Sequence, residues 1–453
     1  MPQASAEISE VMRDLSRYIS SAVGEDLPPE VSEKGKHHLL DTLAAMISGS
    51  RLRPGKAAIQ FVASQGGREE ACVAGTSILT TAINAALANG MLAHADETDD
   101  SHKDSRCHPG CGIVPAALAM AEREGRGGEA LLRAVVLGYD IGCRTIFALG
   151  VDQFYWAGHS THSFAPLFGA AAAAGALANL SENQIPQLIS YTAQQASGVN
   201  CWSRDEEHIE KAFDFGGMTA RNGVTAAEMV AAGFTGVADV FSGPMNFFFA
   251  FSSAPKPELM VENLGARFEI METNIKKWSV GSPIQAVLES TEALIRENGL
   301  KPEKIDRITV QMSDKESHVV DKRKMPAINL QHLLAVFVLD QGITFTSSHD
   351  RERMNDPAVV EFRDKVKLIP DSEVPRRQPI VEIATRDGRS ISHSTSAVRG
   401  TPDNAMEREE VESKALDLIE PVLGRGKSRN LIDTIWTLER VKNLRELRPL
   451  LMV

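Results

Sequence analysis

Apolar residues recur at helical spacing through most of the first half of the chain. In residues 38–47, Leu39, Leu40, Leu43 and Ile47 share one face, and Gly49 supplies a stop. Residues 82–93 and 113–121 read as further helices. Residues 129–144 repeat the pattern through Leu131, Leu132, Val135, Val136 and Tyr139. Residues 165–180 are rich in small side chains, which suits a helix at the centre of a bundle, where backbones approach closely. Gly216 and Gly217 interrupt another apolar stretch and precede a helical pattern over 224–232. From about residue 270 the period changes. Residues 307–312 alternate apolar and polar side chains, as a half-buried strand does. Residues 380–385, then Arg386-Asp-Gly-Arg389, then 390–398 predict a hairpin around an Asp-Gly turn. Helical patterns near 283–298 and 330–339 lie between these strands, and helix returns at 407–419 and 428–447.

This order predicts a mostly α protein with an α+β insertion. A helical domain over 1–269 is followed by an α/β domain over 270–401, and helices over 402–453 pack back on the first half. At 453 residues the chain is too long for one ordinary core. A formal charge of −12 argues against a nucleic-acid or anionic-membrane partner. The first seven residues lack a basic start followed by an apolar core, so no signal peptide is expected. The uncharged stretch 160–180 is mostly small residues and carries His162, unlike the roughly 20 strongly apolar residues of a lipid-spanning helix. Cysteines at 72, 107, 111, 143 and 201 make no disulfide framework, which suits a cytoplasmic compartment with free thiols.

The chemistry concentrates in His94-Ala-Asp-Glu-Thr-Asp-Asp-Ser-His102, followed by Arg106-Cys-His108-Pro-Gly110. Buried carboxylates and imidazoles must be paired or lose their charge, and loops held between helices commonly carry reacting groups. The alternative is a solvated acidic surface loop. Gly158-His-Ser-Thr-His-Ser163 precedes the small-residue helix, where its hydroxyls and histidines can cap it or its dipole can favour an anion. Lys211 and Arg221 flank the glycine pair, which is either an inter-helix turn or a place where backbone approaches a ligand. Lys276 falls where the period changes, either in reach of a cleft between domains or as one of a surface lysine pair. Cys107 and Cys111 lack the second ligand pair of a structural zinc site. His94 with Asp96, or His102 with Asp99, can instead form a carboxylate–imidazole metal centre.

The order of Leu39-Leu-Asp-Thr-Leu-Ala-Ala, Asn89-Gly-Met-Leu-Ala-His-Ala, Asp99-Asp-Ser, His108-Pro-Gly, Phe168-Gly-Ala-Ala-Ala-Ala and Ala220-Arg-Asn-Gly resembles the MmgE/PrpD family. That family includes 2-methylcitrate dehydratase, cis-aconitate decarboxylase and iminodisuccinate epimerase. The resemblance runs over nearly the whole chain. It implies a large helical domain built from both chain ends, a smaller α/β lid domain with the active site between them, a homodimer, and no metal or organic cofactor. The family's loop pattern His-Ala-Leu-Asp-Tyr-Asp-Asp-Thr aligns on 94–101. Its site Asp then falls on Glu97 and its site Thr on Ser101, while Asp99 and Asp100 match directly. The His of the family's His-Pro motif falls on His108. A second His falls on His159 with one insertion, or on His162, and the family's two lysines fall on Lys211 and Lys276. Gln285 stands where the family often has a His, and His332 where it has a Tyr.

The resemblance implies chemistry at a carbon next to a carboxylate, which needs a positioned base and a stabiliser of enolate-like charge. In that scheme His108 is the general acid/base, and Lys211 and Lys276 clamp substrate carboxylates. Asp99, Asp100 and Glu97 orient the imidazole, and His159 or His332 carries the second proton. Ser101, Arg221 and Gln285 complete the substrate contacts. The expected activity is a cofactor-independent lyase dehydrating a hydroxy di- or tricarboxylic acid, with decarboxylation or epimerisation of a related polycarboxylate as alternatives. Two other classes stand beside it. One is a metal-dependent hydrolase with His94, Asp96, His102 and His108 as ligands. The other is a non-catalytic carboxylate-binding protein of the same fold.

Overall fold

The structure, a computed structural model, describes residues 8–453; the leading seven, where no signal peptide is expected, lie outside the described residues. The chain divides into two compact units. The first holds the residues up to Ala95, Asp99–Asn274 and Val411–Val453, and the second holds Asp96–Thr98 and Ile275–Glu410. The sequence pattern places the inserted domain at 270–401. The short segment Asp96–Thr98, from the middle of the acidic loop, belongs with the second unit.

In the first unit the 3.6-residue periodicity becomes the helices Pro29–Gly49, Ala82–Ala93, Gly110–Glu124, Gly128–Leu149, Thr161–Leu177 and Met218–Ala231. Thr81 starts Ala82–Ala93 by accepting from the Asn84 N–H. Gly125, at φ 65°, closes Gly110–Glu124 in the left-handed conformation that glycine adopts without strain. Thr161–Leu177 is buried along nearly its whole length and packs on both Gly128–Leu149 and Met218–Ala231. Its small residues make that possible: a Cβ on Gly169 would lie 2.4 Å from the Gly138 carbonyl oxygen. From the other chain end, Arg425–Trp436 packs on Pro29–Gly49, and Lys36 Nζ donates to the Trp436 carbonyl at 2.9 Å.

The glycine pair behaves differently from its expected role as an interruption. The helical path Ile209–Ala212 runs on through a π-helical turn, Phe213–Gly217, into Met218–Ala231. A Cβ on Gly216 would stand 2.0 Å from the Gly90 carbonyl oxygen, and one on Gly90 would stand 2.3 Å from that of Gly216. The glycines therefore admit the backbone of Ala82–Ala93. The π turn widens the helix at the residues that carry side chains of the site, as such turns often do.

The second unit is built on a four-stranded sheet in the order Val366–Asp371, Ile305–Ser313, Ile380–Thr385, Ser390–Ser394. The first pair is parallel and the other two are antiparallel. The Asp387-Gly388 turn forms, with Gly388 at φ 87° and Thr385 N donating to Arg389 O at 2.9 Å; the returning strand ends at Ser394, short of 398. Buried Ile308, Val310, Val381 and Ile383 form one core with Ile284, Val287 and Leu288 of the helix Ser282–Asn298. The protein is thus mostly α with a smaller α/β part. Among the described residues no helix is long and apolar enough to cross a membrane.

Candidate active site

Helix Ala82–Ala93 ends at His94, and the acidic loop begins there. Its side chains are not solvated. His94, Asp99 and Asp100 have 0% exposure, and Asp96, Glu97, His102 and His108 are also buried. What makes this burial tolerable is pairing over long sequence separations. Asp100 Oδ2 faces His38 Nδ1 at 2.8 Å and accepts from the Tyr139 hydroxyl, while Oδ1 accepts from the Gly110 N–H at 3.0 Å. His38 and Tyr139 belong to Pro29–Gly49 and Gly128–Leu149, so two core helices fix this carboxylate in place.

Asp99 bridges two imidazoles. Its Oδ2 lies 2.9 Å from His94 Nδ1 and its Oδ1 lies 3.2 Å from His108 Nδ1. Burial alone would raise the Asp99 pKa, but the two imidazoles outweigh it and hold the carboxyl well below its ordinary range. Burial pushes the His94 pKa down, so that ring is neutral. An ionised Asp99 can only accept, so each ring presents Nδ1–H to it, and a neutral ring in that tautomer carries its lone pair on Nε2. The two Nε2 atoms differ in access. That of His94 is buried with no hydrogen-bond partner, whereas the His108 side chain keeps 10% of its surface exposed. Of the two rings, only that of His108 keeps any side-chain exposure, so it is the one placed to offer a lone pair to a ligand.

Phe215, from the π turn, organises the surrounding rings. His94 stacks on it at 4.3 Å and His162 at 4.0 Å between centroids. His162 lies 5.3 Å from His108, and His208 lies 5.0 Å from His94. Lys211 Nζ stands 5.1 Å from the Phe215 ring centre and 5.4 Å from that of Trp202. Behind this cluster, buried Asp214 accepts from the Ser160 hydroxyl at 2.6 Å, and burial pushes its pKa up to about 6. Ser160 occupies the N-cap of Thr161–Leu177 but makes no capping bond; its hydroxyl serves Asp214 instead.

Not every expected residue joins this cluster. His159 stacks on Phe154 at 4.7 Å and contacts Phe251, so its neighbour three residues on, His162, is the histidine beside His108. The alignment with one insertion favours His159, but helix Thr161–Leu177 turns position 162 toward Phe215 instead. Arg221 packs on Phe213 and donates to Asn222 Oδ1 at 3.0 Å, which is a local helix-surface arrangement. Ser101 begins the strand Ser101–His102, which pairs antiparallel with Thr273–Asn274. The four-ligand metal set does not converge. His102 turns to Ser105 Oγ at 2.9 Å and Glu269 at 3.4 Å, and Asp96 takes another partner described next. His94, Asp99 and Cys111 do bring three ligand-type atoms within 4.8 Å of one another, but the Asp99 oxygens face imidazole nitrogens.

Within the second unit, Lys276 is buried and its Nζ donates to the Glu97 carbonyl at 2.6 Å, with Glu97 Oε2 at 4.0 Å. Asp96 Oδ2 stands 2.7 Å from His349 Nε2 and accepts from the Thr98 hydroxyl. Burial opposes the charge on Asp96, yet His349 and Thr98 hold its pKa below the ordinary value. Gln285 departs from its expected substrate contact. Its amide nitrogen donates to the carbonyls of Trp278 and Val280 at 2.8 and 3.1 Å, and its oxygen accepts from Trp278 N at 3.2 Å. Both donors are used, so Gln285 shapes the loop after Lys276. His332 is fully buried with no hydrogen-bond partner on either ring nitrogen, and burial, aided by Arg363 and Arg353, pushes its pKa down to about 4. A sealed neutral ring of this kind does not suit the proton-carrier role.

The fold and this imidazole–carboxylate centre accompany a match that spans most of the chain. The MmgE/PrpD N-terminal domain matches residues 13–260 and the MmgE/PrpD C-terminal domain matches residues 278–440. The chain therefore belongs to the MmgE/PrpD family. It is similar to the cis-aconitate decarboxylase-like protein oryM of Aspergillus oryzae, 23% identical over 480 residues that cover 97% of each chain. It is also similar to the cis-aconitate decarboxylase of Aspergillus terreus, 23% identical over 478 residues covering 98% of this chain and 96% of the relative.

Proposed function

We propose that this protein is a lyase that removes a proton from a carbon next to a carboxylate of a di- or tricarboxylic acid. The observation that carries this reading is the bridging of His94 and His108 by one ionised carboxylate, with only His108 accessible. His108 Nε2 takes the α-proton, and Asp99 stabilises the imidazolium that forms without accepting the proton itself. His162, 5.3 Å away, is the second proton carrier. Lys211 holds a substrate carboxylate and draws charge from the enolate-like intermediate.

In a hydroxy acid, the electron pair left by the α-proton forms a double bond while the β-hydroxyl departs with a proton from His162 as water. This dehydration is the first reading. Decarboxylation is the second, favoured by the names of the two relatives. In that case no α-proton is removed: a C–C bond breaks, CO₂ leaves, and the carbanion takes a proton from His108 Nε2, which solvent has protonated beforehand. Incubating the purified protein with citrates and aconitates, then quantifying alkene product and released CO₂, separates the two. If neither product appears and no α-proton exchanges with solvent for any acid, the lyase reading fails.

A further inference from the structure

Trp202 has an unusual setting among the chain's four tryptophans. Trp278 and Trp436 are 8% exposed and Trp156 is 77% exposed. Trp202 lies between these extremes, half-buried on the single 3₁₀ turn Asn200–Arg204. His162 and Phe215 are stacked nearly parallel, 6° apart, and the indole stands perpendicular to both. Its centroid is 5.3 Å from His162 at 89° and 4.8 Å from Phe215 at 88°. Its ring also faces Lys211 Nζ. The indole has one polar group, and that group is committed: Nε1 donates to Ser160 Oγ at 3.2 Å, and Ser160 donates onward to Asp214. The relay fixes the orientation of the ring and leaves only apolar surface for a ligand.

We propose that Trp202 is the substrate-facing wall beside Lys211, and that it favours acids whose proton-losing carbon carries a carbon substituent rather than a hydroxyl. This rests on the lyase reading, because it takes Lys211 as the carboxylate clamp. A carbon substituent against the indole leaves water, while a hydroxyl there loses water and gains no partner. For a dehydration substrate the leaving hydroxyl then sits on the next carbon, away from the wall. Ser160 and Asp214 are positioning residues, which act through the indole.

The test is calorimetric titration with 2,3-dimethylsuccinate and tartrate, in which both inner carbons carry a methyl or a hydroxyl, so that either orientation brings the group to the wall. The wild-type protein is expected to bind 2,3-dimethylsuccinate about tenfold more tightly than tartrate. In W202A the ratio falls to about twofold or less, chiefly by loss of dimethylsuccinate affinity. W202F, which keeps an apolar ring, retains most of the preference and guards against a misfolded alanine variant. S160A, which frees Nε1, falls between W202F and W202A. Equal affinities in the wild type, an unchanged ratio in W202A, or no saturable binding of either acid would overturn the wall. K211A separates the two layers of the argument. Weaker binding of both acids at a preserved ratio supports the clamp, whereas unchanged binding in K211A removes the clamp and leaves the Trp202 preference standing or falling on its own ratio.

Discussion

His94 and His108 in the first unit and His332 in the second are all buried imidazoles, yet their surroundings give them opposite characters. His94 and His108 face an ionised Asp99 through Nδ1, whereas both nitrogens of His332 lack a hydrogen-bond partner. Burial lowers the pKa of His332 to about 4, and the charges of Arg363 and Arg353 add to it. Around Asp99 the same desolvation is opposed by mutual pairing, so the carboxyl stays charged deep in the protein. Burial by itself therefore makes an inert imidazole. A buried anion on Nδ1 and an opening at Nε2 make a reactive one.

The largest expected effect is on the base. H108A should lower turnover by about 10²–10⁴-fold while the protein stays folded, measured as kcat with circular dichroism as control. Wild-type kcat in a folded H108A protein would erase the contrast with His332. D99N comes next. An asparagine can accept from only one ring and must offer its NH₂ to the other, so kcat should fall on the order of 10²-fold. Wild-type kcat in a folded D99N protein would mean that Asp99 does not act on the base.

K211A should act mainly on binding, raising KM by about 10- to 100-fold with a smaller change in kcat. An unchanged KM would remove the clamp. The smallest effect is on stability and belongs to His332. Its folded pKa of about 4 lies below the unfolded value of about 6.5, so the unfolded chain takes up the proton first as pH falls. Stability is complete above about pH 6.5 and is lost progressively toward pH 4. H332L removes that loss, and its stability relative to wild type should rise by about 1–2 kcal/mol between pH 7 and pH 5 in urea unfolding. The same difference at both pH values would show that His332 is not a neutral ring held against protonation.

Much of the fold was legible because it depends on local periodicity. Residues 82–93 read as helix and form Ala82–Ala93, and the strand read over 380–385 appears as Ile380–Thr385 beside its Asp-Gly turn. The site was legible in its chain-local parts: Asp99 and His108 are nine residues apart and meet. Its remaining members arrive from elsewhere in the chain. His38 reaches Asp100 across 62 residues and Tyr139 across 39; Tyr139 read as a position on an apolar helix face, and His38 only as the start of a helical stretch. His208 and His349 carried no spacing signal, and His162 was separable from His159 only by the direction of a helix start. The glycines at 216 and 217 were readable as a requirement for close approach, but sequence could not say that the approaching group was the backbone at Gly90.

The central claim is that proton abstraction belongs to His108 and not to the other buried imidazoles. The most direct measurement is proton NMR in D₂O with a polycarboxylate that the wild-type protein deuterates, comparing wild type, H108A and H332L. The account predicts α-deuteration in the wild type and in H332L at similar rates, and none above background in H108A. Deuteration that persists in H108A, or that disappears in a folded H332L protein, would contradict it.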